Sequence, residues 1–224
     1  MKKILIVVTN HATLGDTDQA NGTYAPELTH VVDVLNEASV GYDIASIKGG
    51  AAPLYGTDID DDPVNAAVLT DEAFTQRINN TMPASEVNIA DYDAIFYPGG
   101  FGLLSDLATD ETFGKMAGEH YASGGVIAAV CHGPAALLPI TLPSGEKLLA
   151  DHTVTSFTRE EEVDYGTIND IPFLLEEALT RGAKGFSKVQ PWGEYVVESE
   201  RVITGQNPAS VHKVGGALVG VILG

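Results

Sequence analysis

The sequence predicts an α/β fold: a mainly parallel sheet with helices packed on both faces. Short apolar runs of small and β-branched residues, such as Ile4-Leu-Ile-Val-Val8 and Val126-Ile-Ala-Ala-Val130, suit strands buried on both sides. Stretches with apolar residues at helical spacing alternate with these runs, as at Leu28, Val31, Val32, Leu35 and Ala38. Strand and helix keep alternating along the chain, which implies crossover connections and parallel pairing. The loops that follow the strands are polar or glycine-rich, and in such a sheet ligands bind beyond the carboxyl ends of the strands.

The elements follow in order. Residues 3–8 form the first strand, and the polar loop 9–21 leaves it. Ala25-Pro26-Glu27 starts a helix, with proline near the first helical position and an acid in the first turn. Residues 42–47 are the second strand. Residues 49–82, rich in Gly, Pro, Asp and Asn, read as a connection carrying a small irregular lobe or lid, with one helix near 71–78. Residues 92–97 are a strand running into Pro98-Gly-Gly-Phe-Gly102, and 110–123 are a helix broken by Gly124-Gly125. After strand 126–130, Pro134 opens a helix that 135–138 continue. A strand pair is expected over 148–155 and a helix over 172–180, closed by Gly182. Late strands follow at 186–189, 195–198 and 201–204, and a last helix runs over 209–223 after Asn207-Pro208. Residues 1–224 read as a single domain.

Composition narrows the function. The net charge is −19, from 12 basic and 31 acidic residues, which argues against nucleic acid and anionic membranes as partners. No stretch approaches the roughly 20 apolar residues of a membrane span. The single cysteine excludes a disulfide framework and points to a reducing, cytoplasmic setting. No phosphate loop of the GxxxxGK[ST] type and no GxGxxG after the first strand is present, so a nucleotide cofactor is not expected. His11, His30, His120, His152 and His212 lack metal-ligand spacing, and no metal is expected either.

That one cysteine, Cys131, sits where a buried strand turns into a helix, with Ala129 and Gly133 two residues to either side. This is the spacing of a nucleophile elbow, with Cys in place of Ser. A lone cysteine is often a buried structural residue. Strand, small flanking residues, adjacent His132 and helix start together point instead to a nucleophile, its thiolate favoured by the helix N-terminus.

Tyr97-Pro-Gly-Gly-Phe-Gly102, Ala129-Val-Cys-His-Gly-Pro-Ala135 and Thr204-Gly-Gln-Asn-Pro-Ala-Ser210 together resemble the ThiJ/PfpI superfamily, the cysteine branch of the class I glutamine-amidotransferase-like, flavodoxin-like fold. Residues 22–27 and Thr155-Ser-Phe-Thr-Arg-Glu-Glu-Glu162 narrow the likeness, which covers essentially the whole chain, to its chaperone/glyoxalase III group. The resemblance implies Cys131 as nucleophile, His132 as its proton-transfer partner and Glu27 as the acid lying against the sulfur. An acid of the 157–162 segment would orient the histidine. Counting from Phe157, Glu162 matches best, with Glu161 one residue away as the alternative. The backbone N–H groups of Gly99 and Gly100, with that of His132, would hold an oxyanion. The activity implied is glutathione-independent conversion of a small α-oxoaldehyde, methylglyoxal, to lactate, and the resemblance also suggests a homodimer. Two other readings share the elbow: a stress chaperone that holds unfolded clients, and a cysteine peptidase or amidase. Trp192 and Tyr195 lie in a turn before a strand, where they pack or rim the pocket.

Overall fold

Strand β1 shows how the sequence builds the layers. Along it Ile4 and Ile6 face one way and Leu5 and Val7 the other, and all four are fully buried. The first pair packs under two helices and the second under another, so the strand carries no polar face.

The computed structural model describes residues 2–224. The first half of the chain runs β1 (Lys3–Val7), β2 (Thr23–Tyr24), α1 (Ala25–Glu37), β3 (Gly41–Ser46), β4 (Leu54–Tyr55), α2 (Pro63–Thr70), α3 (Glu72–Asn79), β5 (Met82–Pro83), β6 (Ala94–Tyr97), α4 (Gly102–Ser105) and α5 (Glu111–Ala122). The second runs β7 (Val126–Val130), β8 (Thr153–Val154), α6 (Arg159–Tyr165), α7 (Leu175–Gly182), β9 (Gly185–Phe186), β10 (Val196–Ser199), β11 (Val202–Gly205) and α8 (Val211–Leu223). The main sheet has seven strands in the order β10-β11-β7-β6-β1-β3-β5. Only the β10–β11 edge pair is antiparallel.

Leu28, Val31, Val32 and Leu35 of α1 and Val214 and Leu218 of α8 cover one face with Ile4 and Ile6. Phe113, Ala117 and Tyr121 of α5 cover the other, with Leu5 and Val7. The order of connections reverses between β1 and β6, which opens a crevice at their carboxyl ends. The turn after β7 lies beside it. No helix among the described residues is long and apolar enough to cross a membrane.

Three expected elements differ. The α-helix expected after the elbow is a 3-10 turn, Gly133–Leu137. Pro139 has no N–H to bond back to Ala135, and the segment closes instead with bonds three residues apart, Ala135 N–H to His132 O, Leu138 N–H to Ala135 O and Ile140 N–H to Leu137 O. The strand pair expected over 148–155 is a 3-10 turn, Leu148–Asp151, followed by the two-residue β8, whose partner is the distant β9. The stretch 49–82 holds two helices rather than one. The unexpected α2 carries ordinary start signals, with Asp62 capping Asn65 N–H at 2.9 Å and Pro63 in its first turn.

Candidate active site

Cys131 directly follows β7 with a φ of +60°, a left-handed conformation that costs a non-glycine residue on the order of 1–2 kcal/mol. Both of its backbone groups are pinned. Its N–H donates to Gly205 O of β11 and its C=O accepts from Phe157 N–H, each at 2.9 Å. A Cβ on Gly133 would collide with the Tyr97 carbonyl, so the glycine two residues on lets the elbow close against β6. The thiol is 4 % exposed.

From this turn a relay of side chains leads away. His132 Nδ1 lies 3.3 Å from Cys131 Sγ, and His132 Nε2 lies 2.7 Å from Glu162 Oε1. An ionised carboxylate only accepts, so Nε2 carries the proton and Nδ1 turns its lone pair to the thiol. Thr167 Oγ1 donates to the other Glu162 oxygen. The imidazole is packed between Phe101 and Phe157, with ring centroids 4.3 and 4.7 Å away. His132 and Glu162 are each 1 % exposed.

The neighbouring Glu161 does something different. Its Oε2 accepts from Thr158 N–H and Oγ1, both at 2.8 Å, closing a capping box at the start of α6. Its Oε1 accepts from Trp192 N–H at 2.8 Å, Gln206 Nε2 at 3.1 Å and Asn207 Nδ2 at 2.7 Å. No capacity remains for His132. Of the two candidate acids, only Glu162 meets the imidazole.

On the other side of the sulfur lies Glu27, in the first turn of α1 and fully buried. No hydrogen bond of ordinary geometry reaches either carboxyl oxygen. Burial pushes its pKa up to about 8, against smaller downward pulls from the Cys131 thiol and the Gly99 N–H facing it. The acid is therefore mostly protonated at neutral pH. A Cβ on Gly99 would collide with Glu27 Oε2 and crowd Cys131 Cβ, so glycine is what lets β6 pass this pair. The Gly99 N–H is turned to Glu27, whereas those of Gly100 and His132 donate to no acceptor among the described residues.

The thiol departs from expectation. Burial pushes the Cys131 thiol well up, and the nearby Glu27, Glu161 and Glu162 carboxyls add to the effect. A 3-10 turn of five residues supplies no macrodipole to oppose this. The resting residue is a thiol with a base at hand, not a preformed thiolate.

The buried acid has a consequence for stability. The unfolded chain releases the Glu27 proton above about 4.5, while the native state holds it to about 8. The native state binds more protons across that window, so this group's contribution to stability is complete below pH 4.5 and is lost as pH rises through 8. Glu27→Gln keeps the neutral shape and removes the titration. It should stabilise the protein by about 3 kcal/mol at pH 7, with no gain near pH 4. Urea unfolding of both proteins at the two pH values checks this, and equal midpoints at pH 7 would contradict it.

Cys131 and His132 open into a cavity of about 90 Å³. Tyr24, Tyr55, Phe101, Phe157, Tyr165 and Trp192 wall it. The parallel pairing of β2 with β4 sets Tyr24 beside Tyr55, ring centroids 5.0 Å apart. Burial pushes the Tyr24 hydroxyl up to about 12 and that of Tyr55 well above its ordinary value, so both walls stay neutral. Trp192 lies over the opening, against Phe157 and Tyr165 at 5.5 and 6.3 Å. The roles of Tyr55 and Tyr165 were not foreseen, because neither sits in a periodic stretch. No group of three or more His, Cys, Asp or Glu side chains among the described residues is arranged to hold a metal ion. A larger groove of about 950 Å³ lies between α5 and residues 138–147, away from Cys131.

Comparison with known proteins places this geometry. Residues 19–219 match the DJ-1/PfpI family. The chain is 30% identical to glutathione-independent glyoxalase HSP31 of Saccharomyces cerevisiae over 94% of each sequence. The crystal structure of Rapid Encystment Protein 24 KDa from Francisella tularensis superposes with a TM-score of 0.93 at 32% identity, covering 99% of both chains. That of glyoxalase III from Candida albicans superposes with a TM-score of 0.85 at 25% identity, over 98% of this chain and 96% of that one. The elbow thus sits on a fold shared along its full length with solved relatives, and the chain belongs to the DJ-1/PfpI family.

Proposed function

We propose that this protein is a glutathione-independent glyoxalase that converts methylglyoxal, an α-oxoaldehyde, to lactate through a hemithioacetal on Cys131. The observation that carries the reading is the Cys131–His132–Glu162 relay opening into a small aromatic cavity. Two glyoxalases among the compared proteins, each aligned over more than nine-tenths of its chain, support the same activity.

The steps follow from the geometry. His132 Nδ1 takes the thiol proton as sulfur bonds to the aldehyde carbon, and Glu162 stabilises the imidazolium that forms. The carbonyl oxygen gains the charge, within reach of the Gly100 and His132 N–H groups, the two donors left without internal partners. Protonated Glu27 donates toward the sulfur while it is anionic. The imidazolium returns its proton to that carbonyl oxygen, giving the neutral hemithioacetal. His132 then removes the hydrogen on the former aldehyde carbon and passes it to the ketone oxygen, giving an enediol. The hydroxyl on the sulfur-bearing carbon gives up its proton as the neighbouring carbon is protonated, which yields the thioester of lactate. Water then releases lactate and the free thiol. Methylglyoxal plus water becomes lactic acid with no change of overall oxidation state.

Size favours this reaction over peptide cleavage. A cavity of about 90 Å³ suits a three-carbon dicarbonyl. It is far below the ~300–1,000 Å³ of sites for larger ligands. A nucleophile that must stay reduced also fits a reducing, cytoplasmic compartment.

The test is lactate formation from methylglyoxal by the purified protein without glutathione, read beside the mass of the intact chain during turnover. Lactate, with a transient adduct on the one cysteine, is expected. Neither signal at millimolar substrate would sink the proposal.

A further inference from the structure

Trp192 is the only tryptophan of the chain and sits over the cavity mouth with 43 % of its surface exposed. Its φ is +64°, which a bulky residue adopts only when its surroundings enforce it. The half-exposed ring rests on Phe157 and Tyr165, and its Nε1–H donates to Asp164 Oδ2 at 3.3 Å. The backbone is held by the bond from the Trp192 N–H to Glu161 Oε1 at 2.8 Å.

Glu161 is buried, and among the described residues no cation pairs with it. Thr158 N–H and Oγ1, Trp192 N–H, Gln206 Nε2 and Asn207 Nδ2 all donate to it. Asn207 Nδ2 also donates to Gly193 O at 2.9 Å, and Gln206 Oε1 accepts from Val189 N–H at 2.9 Å, so the loop is held on either side of Trp192. Fully satisfied, such a network is rigid, and charge-assisted bonds are its strong members. The same short helix α6 presents Glu162 to His132 and carries Tyr165, the other exposed aromatic at the mouth.

We propose that Glu161 is a positioning residue whose carboxylate fixes Trp192 as the roof of the cavity, and that this roof sets the size of carbonyl compound that reaches Cys131. The proposal rests on the cavity being the reactive site but not on which reaction occurs there. With the roof held, small dicarbonyls enter and bulkier ones are turned away. With the carboxylate gone, the loop relaxes from its left-handed conformation and the thiol opens to larger reagents.

Glu161→Gln is the direct test. A glutamine has one acceptor oxygen, so whichever way it turns its NH2 group meets donors, either at Thr158 or at Trp192, Gln206 and Asn207. Trp192→Ala is the companion variant. It removes the roof but keeps the backbone N–H that Glu161 holds, so the network survives. Three readouts are taken on folded protein: tryptophan emission and acrylamide quenching, alkylation of Cys131 by iodoacetamide and by a bulky N-aryl maleimide, and steady-state kinetics with methylglyoxal.

For Glu161→Gln the expected result is red-shifted, more quenchable emission and maleimide labelling faster by about tenfold, the loss of roughly one charge-assisted hydrogen bond. KM should rise by about the same factor with kcat changed less than about threefold, the pattern of lost binding rather than lost chemistry. Trp192→Ala should reproduce the labelling and the KM, and it decides alone if Glu161→Gln does not fold. Maleimide rates within about twofold of wild type in Trp192→Ala would overturn the roof. Unchanged emission with a fall in kcat alone in Glu161→Gln would place that residue in the proton relay instead. Wild-type protein that makes no lactate but shows the labelling differences would refute the proposed reaction and leave the roof standing.

Discussion

The Cys131→Ala protein is expected to make no lactate above background, a loss of about 10⁴-fold or more, because no other side chain supplies a nucleophile. Cys131 is the only thiol in the sequence, so no second cysteine can substitute. The fold should survive. Alanine meets the same strain at φ +60°, and the bonds to Gly205 and Phe157 are made by the backbone. Losing the buried sulfur costs about 1 kcal/mol, which corresponds to about 2–4 °C in melting temperature. Glu27 loses its principal downward pull and stays neutral to still higher pH. Stopped assays of lactate beside a melting curve settle the matter, and turnover within tenfold of wild type would exclude thiol chemistry. The same variant separates the chaperone reading, since holding of clients at the surface needs no thiol.

Glu162→Gln should leave the thiol in place and cost about 10²- to 10⁴-fold in kcat, the usual worth of an oriented general base. Thr167 can turn its hydroxyl to accept from the new amide, so packing is preserved. The charge is not. If the amide nitrogen faces His132, Nε2 must carry the lone pair, and the proton moves to Nδ1, where it blocks transfer from the thiol. If the amide oxygen faces it, the tautomer is kept but the imidazolium loses its counter-charge. Both outcomes slow the step that makes sulfur nucleophilic, and neither changes the cavity walls. KM should therefore stay within about threefold of wild type. Burial already pushes the thiol well up, so the residual rate should climb more steeply with pH than that of wild type. A pH–rate profile of the two proteins checks this, and equal kcat values would remove Glu162 from the relay.

How much of this was legible depends on the length of the signal. The strands through 3–8, 92–97 and 126–130 are apolar runs with polar or glycine-rich exits, and the elbow residues stand out because strand, turn and small neighbours coincide. Glu27 was legible as a first-turn acid after Ala25-Pro26. That the acid must stay neutral beside the sulfur follows from the chemistry, but how strongly burial enforces it depends on how completely α1 is covered by the sheet and by α8. The choice between Glu161 and Glu162 was closed to the sequence for a geometric reason. Successive helical residues point about 100° apart, and only the seating of α6 tells which one meets His132. Tyr55 reached the cavity through pairing of two-residue strands 31 positions apart at Thr23↔Leu54, too short to leave a period in the sequence. The thiolate expected of Cys131 presupposed an α-helix where the chain makes a five-residue 3-10 turn.

Helix α6 and its flanks have a further meaning for engineering. The stretch 158–167 contains the capping threonine, Glu161, Glu162, Tyr165 and Thr167, so the acid that holds the Trp192 loop and the acid that orients His132 lie on one contiguous segment. Grafting these ten positions as a block into a relative that already carries the Cys-His elbow and the tryptophan loop should transplant both acids in register with the helix that seats them. Exchanging either acid alone would supply only one of the two functions.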